Sequence, residues 1–222
     1  MRYAAWPWVA AALLGGYHGL DPSMGWLFAV ALGLQERRRT RVLSALVPIG
    51  AGHLIAIAAA ALLIAAARIT VAASVVRNVG AAVLVLFGVF RLWRPRAHPR
   101  LGGMRVNSWE LALWSFVMAT AHGAGLMLVP VLLGMPASAR VPGVHAHMAG
   151  VASALNGGRA LVITQSAGIV LVHTAAMLAV MSALALVVYN WVGLAILRQA
   201  WINLDLIWAG ALIMAGVLAA VI

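Results

Sequence analysis

Four histidines, His18, His53, His122 and His173, each fall near the centre of a separate long apolar stretch. Imidazole is costly to bury in hydrocarbon and is rare there unless it faces a bundle interior. Asp21 lies three residues after the first of them and is the one acid placed deep in an apolar stretch. Neutral imidazole with a carboxylate suits borderline divalent cations such as Ni²⁺, Co²⁺, Zn²⁺ or Cu²⁺. Met24 and Met127 are secondary candidates, since a thioether would shift the preference towards copper. His145 and His147, in H-x-H spacing on a predicted external loop, are secondary candidates for metal capture. Histidine also titrates near neutrality, so protonation would expel a bound cation and couple its movement to protons.

Plainer roles exist for each of these residues. A histidine in a membrane helix also serves as a hydrogen-bonding link to a neighbouring helix. Asp21 before Pro22 has the spacing of a helix N-cap. Met24, Met127, Met177 and Met181 have the character of packing residues, and His98 among arginines that of a surface residue.

The stretches that must position these side chains are membrane spans. The chain has 222 residues, 65% of them hydrophobic and 9% charged, with a mean hydropathy of +1.03. Soluble domains carry about a quarter charged residues. Six spans are predicted at about 5–34, 43–67, 75–93, 109–134, 161–188 and 204–222, in a single domain. All 15 basic residues are arginine, and ten lie in three connections, around 37–41, 91–105 and 198. By the positive-inside rule those three face the cytoplasm, leaving both termini outside an inner membrane. Short interhelical loops make the arginines orientation signals and partners for anionic headgroups rather than a nucleic-acid surface. Cysteine is absent, which excludes disulfides and thiolate metal sites. The expected partners are the lipid bilayer, a metal ion, and a second copy of the chain or an accessory protein.

Depth follows from a rise of about 1.5 Å per residue, which puts each of the four histidines roughly 15–20 Å from an interface. The first span is built to break: Gly15, Gly16 and Gly19 surround His18, and Pro22 follows Asp21. The reading is a discontinuous helix over Gly15–Met24. The fourth span repeats the device with His122-Gly123-Ala124-Gly125 and Pro130. Residues 135–160, rich in small side chains, read as an external loop, and Tyr189–Leu204 as an amphipathic stretch along the inner surface. Tyr17-His18-Gly19 is echoed by Ala121-His122-Gly123, and His53 by His173. Two units of three spans are implied, repeat 1 about 1–95 and repeat 2 about 107–222. An odd number of spans per unit inverts one against the other, the plan of many secondary transporters.

The His-Gly-x-x-Pro element His18-Gly19-Leu20-Asp21-Pro22, the second His-Gly pair His122-Gly123, and a histidine on each following helix resemble the nickel/cobalt transporter families of the lysine-exporter superfamily. The likeness covers most of the chain in layout and a handful of residues in detail. It implies a transporter in which His18, Asp21 and His122 are metal ligands. Those families carry a further histidine or acid where this chain has Ser23, Met24 and Gly25, and arginine dominates its central connection. The function expected is a secondary transporter, in the exporting direction, of a transition-metal cation through His18, Asp21, His53, His122 and His173. Two other classes compete: a redox subunit with His53 and His173 ligating haem, and a membrane metalloenzyme using the same residues.

Overall fold

A computed structural model describes residues 5–93, 107–133, 148–192 and 204–221. His98, His145 and His147 lie outside the described residues. Every regular element among the described residues is helical.

The chain enters through α1 (Trp6–Leu20), and Pro22 decides where it stops. Proline has no N–H to give the carbonyl four residues back, and it pushes the preceding residue out of the helical region. That carbonyl belongs to His18, which accepts the Asp21 N–H at 3.2 Å instead, while Asp21 is extended (φ −70°, ψ 117°). A 3-10 turn (Pro22–Met24) follows, and Gly25, at φ +112°, starts α2 (Trp26–Glu36). The break is therefore at Asp21–Gly25, later than the Gly15–Met24 expected. Gly15 and Gly16 stay helical, and Gly15 is used for close packing against the His173 backbone.

A tight turn at Arg37 and Arg38 leads into α3 (Arg39–Thr70), which runs through Pro48 without ending. Next come α4 (Ala73–Trp93), α5 (Ser108–Ala121), and two short helices, α6 (Ala124–Met127) and α7 (Val129–Leu133). The α5 start carries a capping box, with Asn107 and Glu110 each bonding the other's backbone N–H. Its end is set by Gly123 at φ +68°, a conformation that favours glycine. The chain turns by 51° there.

The last two helices are α8 (Met148–Val187), which continues as a π-helical turn (Val188–Val192), and α9 (Leu204–Val221). The predicted 135–160 loop is thus corrected at its end, since helix begins at Met148. Gly157 and Gly158 suggested a loop, but the alanine, leucine and methionine around them favour helix. Of the amphipathic stretch expected at Tyr189–Leu204, Tyr189–Val192 prolong α8 and 193–203 lie outside the described residues.

Among the described residues, three helices, α3, α4 and α8, are long and apolar enough to cross a membrane, and α5 with α6 and α7 makes a fourth if the bent pair is one span. Neither α1 nor α2 reaches the length alone; Pro22 divides the span expected at 5–34.

Glycines fix the pairings. A methyl group at Gly15 would strike the His173 carbonyl, and one at Gly19 would lie 2.6 Å from the Met177 carbonyl. This four-residue spacing of small residues lets α1 lie directly on the α8 backbone. Trp8 fills the space beside Gly168, so contacts advance in step and α1 and α8 run parallel. In the same way Gly52 meets Ala112 and Phe116, and Gly125 meets Ala60, so α3 and the α5–α6 chain run parallel. The pairing of α4 with α9 is antiparallel, with Gly88 against Ala209 and Ile213, and Gly216 against Ala81 and Leu84.

The buried residues form separate apolar clusters. One gathers Met24, Trp26, Val42, Leu46, Ile49, Leu111, Met177 and Met181; a second gathers Ala11, Ile57, Ala119, Leu128, Ile169 and Val170. On α3, Ile49 belongs to the first and Ile57 to the second; on α8, Met177 and Ile169 divide likewise. The residues midway between are His53 and His173. The imidazoles thus form a polar layer between two apolar clusters.

Candidate metal centre

His18, His53 and His173 are each fully buried, and their rings come together from three helices that are far apart in sequence. Ring centroids stand 4.8 Å apart for His18–His173, 5.5 Å for His18–His53 and 5.7 Å for His53–His173. The His53 and His173 planes are within 2° of parallel, and His18 meets both edge-on at about 70°. The Gly15 contact explains the closest pair. It presses α1 onto α8 at the His173 backbone itself, and His18 lies three residues further along α1.

Their hydrogen bonding differs. His18 Nδ1 donates to the Leu14 carbonyl at 2.9 Å, which puts the ring proton there and leaves Nε2 as an acceptor. His53 has no hydrogen-bond partner at either ring nitrogen, whereas His173 has only the Ala11 carbonyl beside it, outside good hydrogen-bond geometry. A buried polar group without a partner costs about 1–3 kcal/mol. An imidazole in that condition, as His53 is, suits a site that something else completes.

His122 is equally buried but fully engaged. Its Nδ1 donates to the Met118 carbonyl at 2.8 Å, and its Nε2 accepts from the Ser23 hydroxyl at 3.2 Å. Ser23 belongs to the 3-10 turn of the first break, and His122 caps α5 at the second. The two breaks are therefore joined by one hydrogen bond. Asp21 accepts the Ser23 N–H at 2.8 Å, which is the N-cap arrangement. Its carboxylate thus holds the turn that presents Ser23 to His122.

The structure therefore brings three of the five residues expected at the site into ring contact; Asp21 and His122 are hydrogen-bonded to Ser23, and His122 is near enough to His18 to act on it electrostatically. Met24 packs in the first apolar cluster and Met127 in a third with Leu84, Val129 and Leu212. Sequence reasoning missed Ser23, whose only signal was its place in the first break opposite a second one.

Among the described residues, no three His, Asp or Glu side chains bring their donor atoms to metal-ligand spacing. The ring positions nonetheless suit one ion. Three imidazoles bound tetrahedrally through ~2.1 Å bonds would hold their centroids about 5.3 Å apart, close to the 4.8–5.7 Å observed. Haem fits poorly. A porphyrin between His53 and His173 would meet the His18 ring about 4 Å from the iron position, inside the macrocycle.

No family model matches the chain, and no curated protein or solved structure shows a significant match to it.

Proposed function

We propose that this chain is a multi-pass membrane transporter that passes a transition-metal cation through the site of His18, His53 and His173. The observation that carries the reading is the convergence of three fully buried imidazoles, one of which, His53, has no hydrogen-bond partner at either ring nitrogen. A permanent structural site would be closed by tight ligands. A transported ion must bind and leave, and three neutral nitrogen donors without a carboxylate or thiolate suit that need. The cation is of the nickel, cobalt, zinc or copper kind, because imidazole selects against magnesium and calcium.

Six spans in two inverted three-helix units remain the architecture we favour. The pairings support it: exchanging α1 with α5, α3 with α8 and α4 with α9 turns the α1–α8 contact into the α5–α3 contact and maps the α4–α9 contact onto itself. Both exchanged pairs are parallel. A joint between two broken helices, Ser23 to His122, is also what a repeat interface at the midplane requires. An inner-membrane location with termini outside is supported by the distribution of arginine. Exposed Arg37, Arg38 and Arg39 lie at the same end as exposed Trp109 and Trp191, since Gly33 meets Tyr189 and Leu111 packs with Val42. Export is the favoured direction, and the likeness to nickel/cobalt transporters agrees with the cargo.

The test is metal analysis of the purified protein, wild type beside His53→Leu, with cellular metal content and tolerance measured for both. Wild-type protein that retains metal, and a folded variant that does not, would support the reading. Identical metal content and tolerance in the two, with both folded, would sink it.

A further inference from the structure

Ser115 on α5 is completely buried, and its hydroxyl has no hydrogen-bond partner. Hydroxyls on helices ordinarily find a partner by folding back on the carbonyl four residues earlier. Thr120, Thr164 and Thr174 do so, at 2.8, 3.0 and 2.9 Å. Ser115 does not.

Its level in the molecule is fixed by the α3–α5 contact. Gly52 packs against α5 between Ala112 and Phe116, so Ser115 lies within the stretch that faces Gly52, and the residue after Gly52 is His53. His53 is the second orphan, also fully buried, with both ring nitrogens unpartnered. Two polar groups without partners, each costing about 1–3 kcal/mol, thus stand at one level on two helices in backbone contact. A serine hydroxyl both donates and accepts, and it reaches a neighbour by one χ1 rotation or through one ordered water.

The other histidines show what such a partner accomplishes. Leu14 fixes the proton of His18 on Nδ1, and Met118 does the same for His122, each from one helical turn earlier. His53 lacks this bond to its own helix. We propose that Ser115 is the positioning residue of His53: its hydroxyl, directly or through one water, selects which ring nitrogen carries the proton and so which one faces His18 and His173. In metal sites the group bonded to the second nitrogen of a ligating histidine sets its tautomer and strengthens its donor. Ser115 fills that role for a transition-metal cation, a part of the inference that rests on the proposed function. The control of the tautomer does not.

The test uses full-length protein labelled with ¹⁵N-histidine in lipid nanodiscs, with the His53 signals assigned by their loss in His53→Leu. Wild type is expected to show His53 as one tautomer, Ser115→Ala a mixture, and Ser115→Thr the wild-type pattern. Thr120→Ala, which removes a hydroxyl already satisfied on the same helix, should leave the His53 signals unchanged. An unaltered His53 tautomer in Ser115→Ala would overturn the inference. A second arm titrates Ni²⁺ and Zn²⁺ alone into each protein, and Ser115→Ala should weaken binding about tenfold. If wild type binds neither ion, the transport reading fails, while the tautomer comparison still decides the role of Ser115.

Discussion

His53 and His122 are equally buried, on neighbouring parallel helices, yet they stand in opposite chemical conditions. His122 uses both ring nitrogens, one on its own helix and one on Ser23 across the two breaks. His53 uses neither and has two other imidazoles within 6 Å. The first region is a satisfied joint that holds two broken helices together. The second is a polar layer left open between two apolar clusters. Burial alone therefore does not mark a binding residue here. What separates the two regions is whether the fold has already used the ring's hydrogen-bonding capacity.

The largest effect should come from forcing the layer apart. Gly15→Val would drive a branched side chain into the His173 carbonyl, separating α1 from α8. We expect a loss of about 3 kcal/mol or more, since overpacking against backbone has no cheap relaxation. Thermal unfolding in detergent would register it. Gly210→Ala, at a position with nothing within 4 Å, should change the midpoint hardly at all. Equal behaviour of the two variants would show that the α1–α8 contact is misassigned.

Metal retention should then separate the layer from the joint. His18→Leu, His53→Leu or His173→Leu should each lower affinity for Ni²⁺ or Zn²⁺ by more than about tenfold, as loss of a ligand does, whereas His122→Leu should change it by less than about threefold. Isothermal titration of the four variants is the check. An equal loss in His122→Leu would move that residue into the site and erase the distinction.

Stability should show the reverse order. His122→Leu removes two hydrogen bonds and strands the Ser23 hydroxyl, so a loss of about 1–3 kcal/mol is expected. His53→Leu replaces an unsatisfied ring by an apolar group of similar size and should be neutral within about 1 kcal/mol, or stabilising. Denaturation of the two proteins side by side compares them directly.

The support of the joint can be probed more gently. Asp21→Ala should cost about 0.5–2 kcal/mol through the lost cap, and Asp21→Asn much less, because asparagine caps as well as aspartate. An Asn variant as damaged as the Ala variant would show that the charge, and not the cap, is what the turn needs. Smallest of all should be Glu36→Gln, which opens a half-exposed pair with Arg41 at 2.8 Å, worth under about 1 kcal/mol.

The membrane character of the chain, its helical class, the two breaks and the residues at them were legible from the sequence. Proline lacks a donor and glycine tolerates positive φ wherever they occur, so Pro22 and Gly123 interrupt their helices by local chemistry alone. Local composition misled at two places. Gly15 and Gly16 looked like weak points in a helix and are helical, Gly15 as a packing surface, and Gly157 and Gly158 looked like loop and are helix. In each case a neighbouring element, or the run of helix formers around it, outweighed the residue's own preference.

Only the tertiary structure decided which imidazoles meet. Four histidines on separate helices can be grouped in many ways, and the grouping of His18 with His53 and His173 follows from which helix surfaces accept one another's backbone. That acceptance depends on Gly15 fitting the His173 carbonyl and Gly52 fitting Ala112, a match between surfaces far apart in the chain. The same packing brought Ser23 to His122 and left His53 and Ser115 without partners. Residue types determined what chemistry was available. Close approach of the helices determined which groups were consumed in holding the fold and which kept unused hydrogen-bonding capacity.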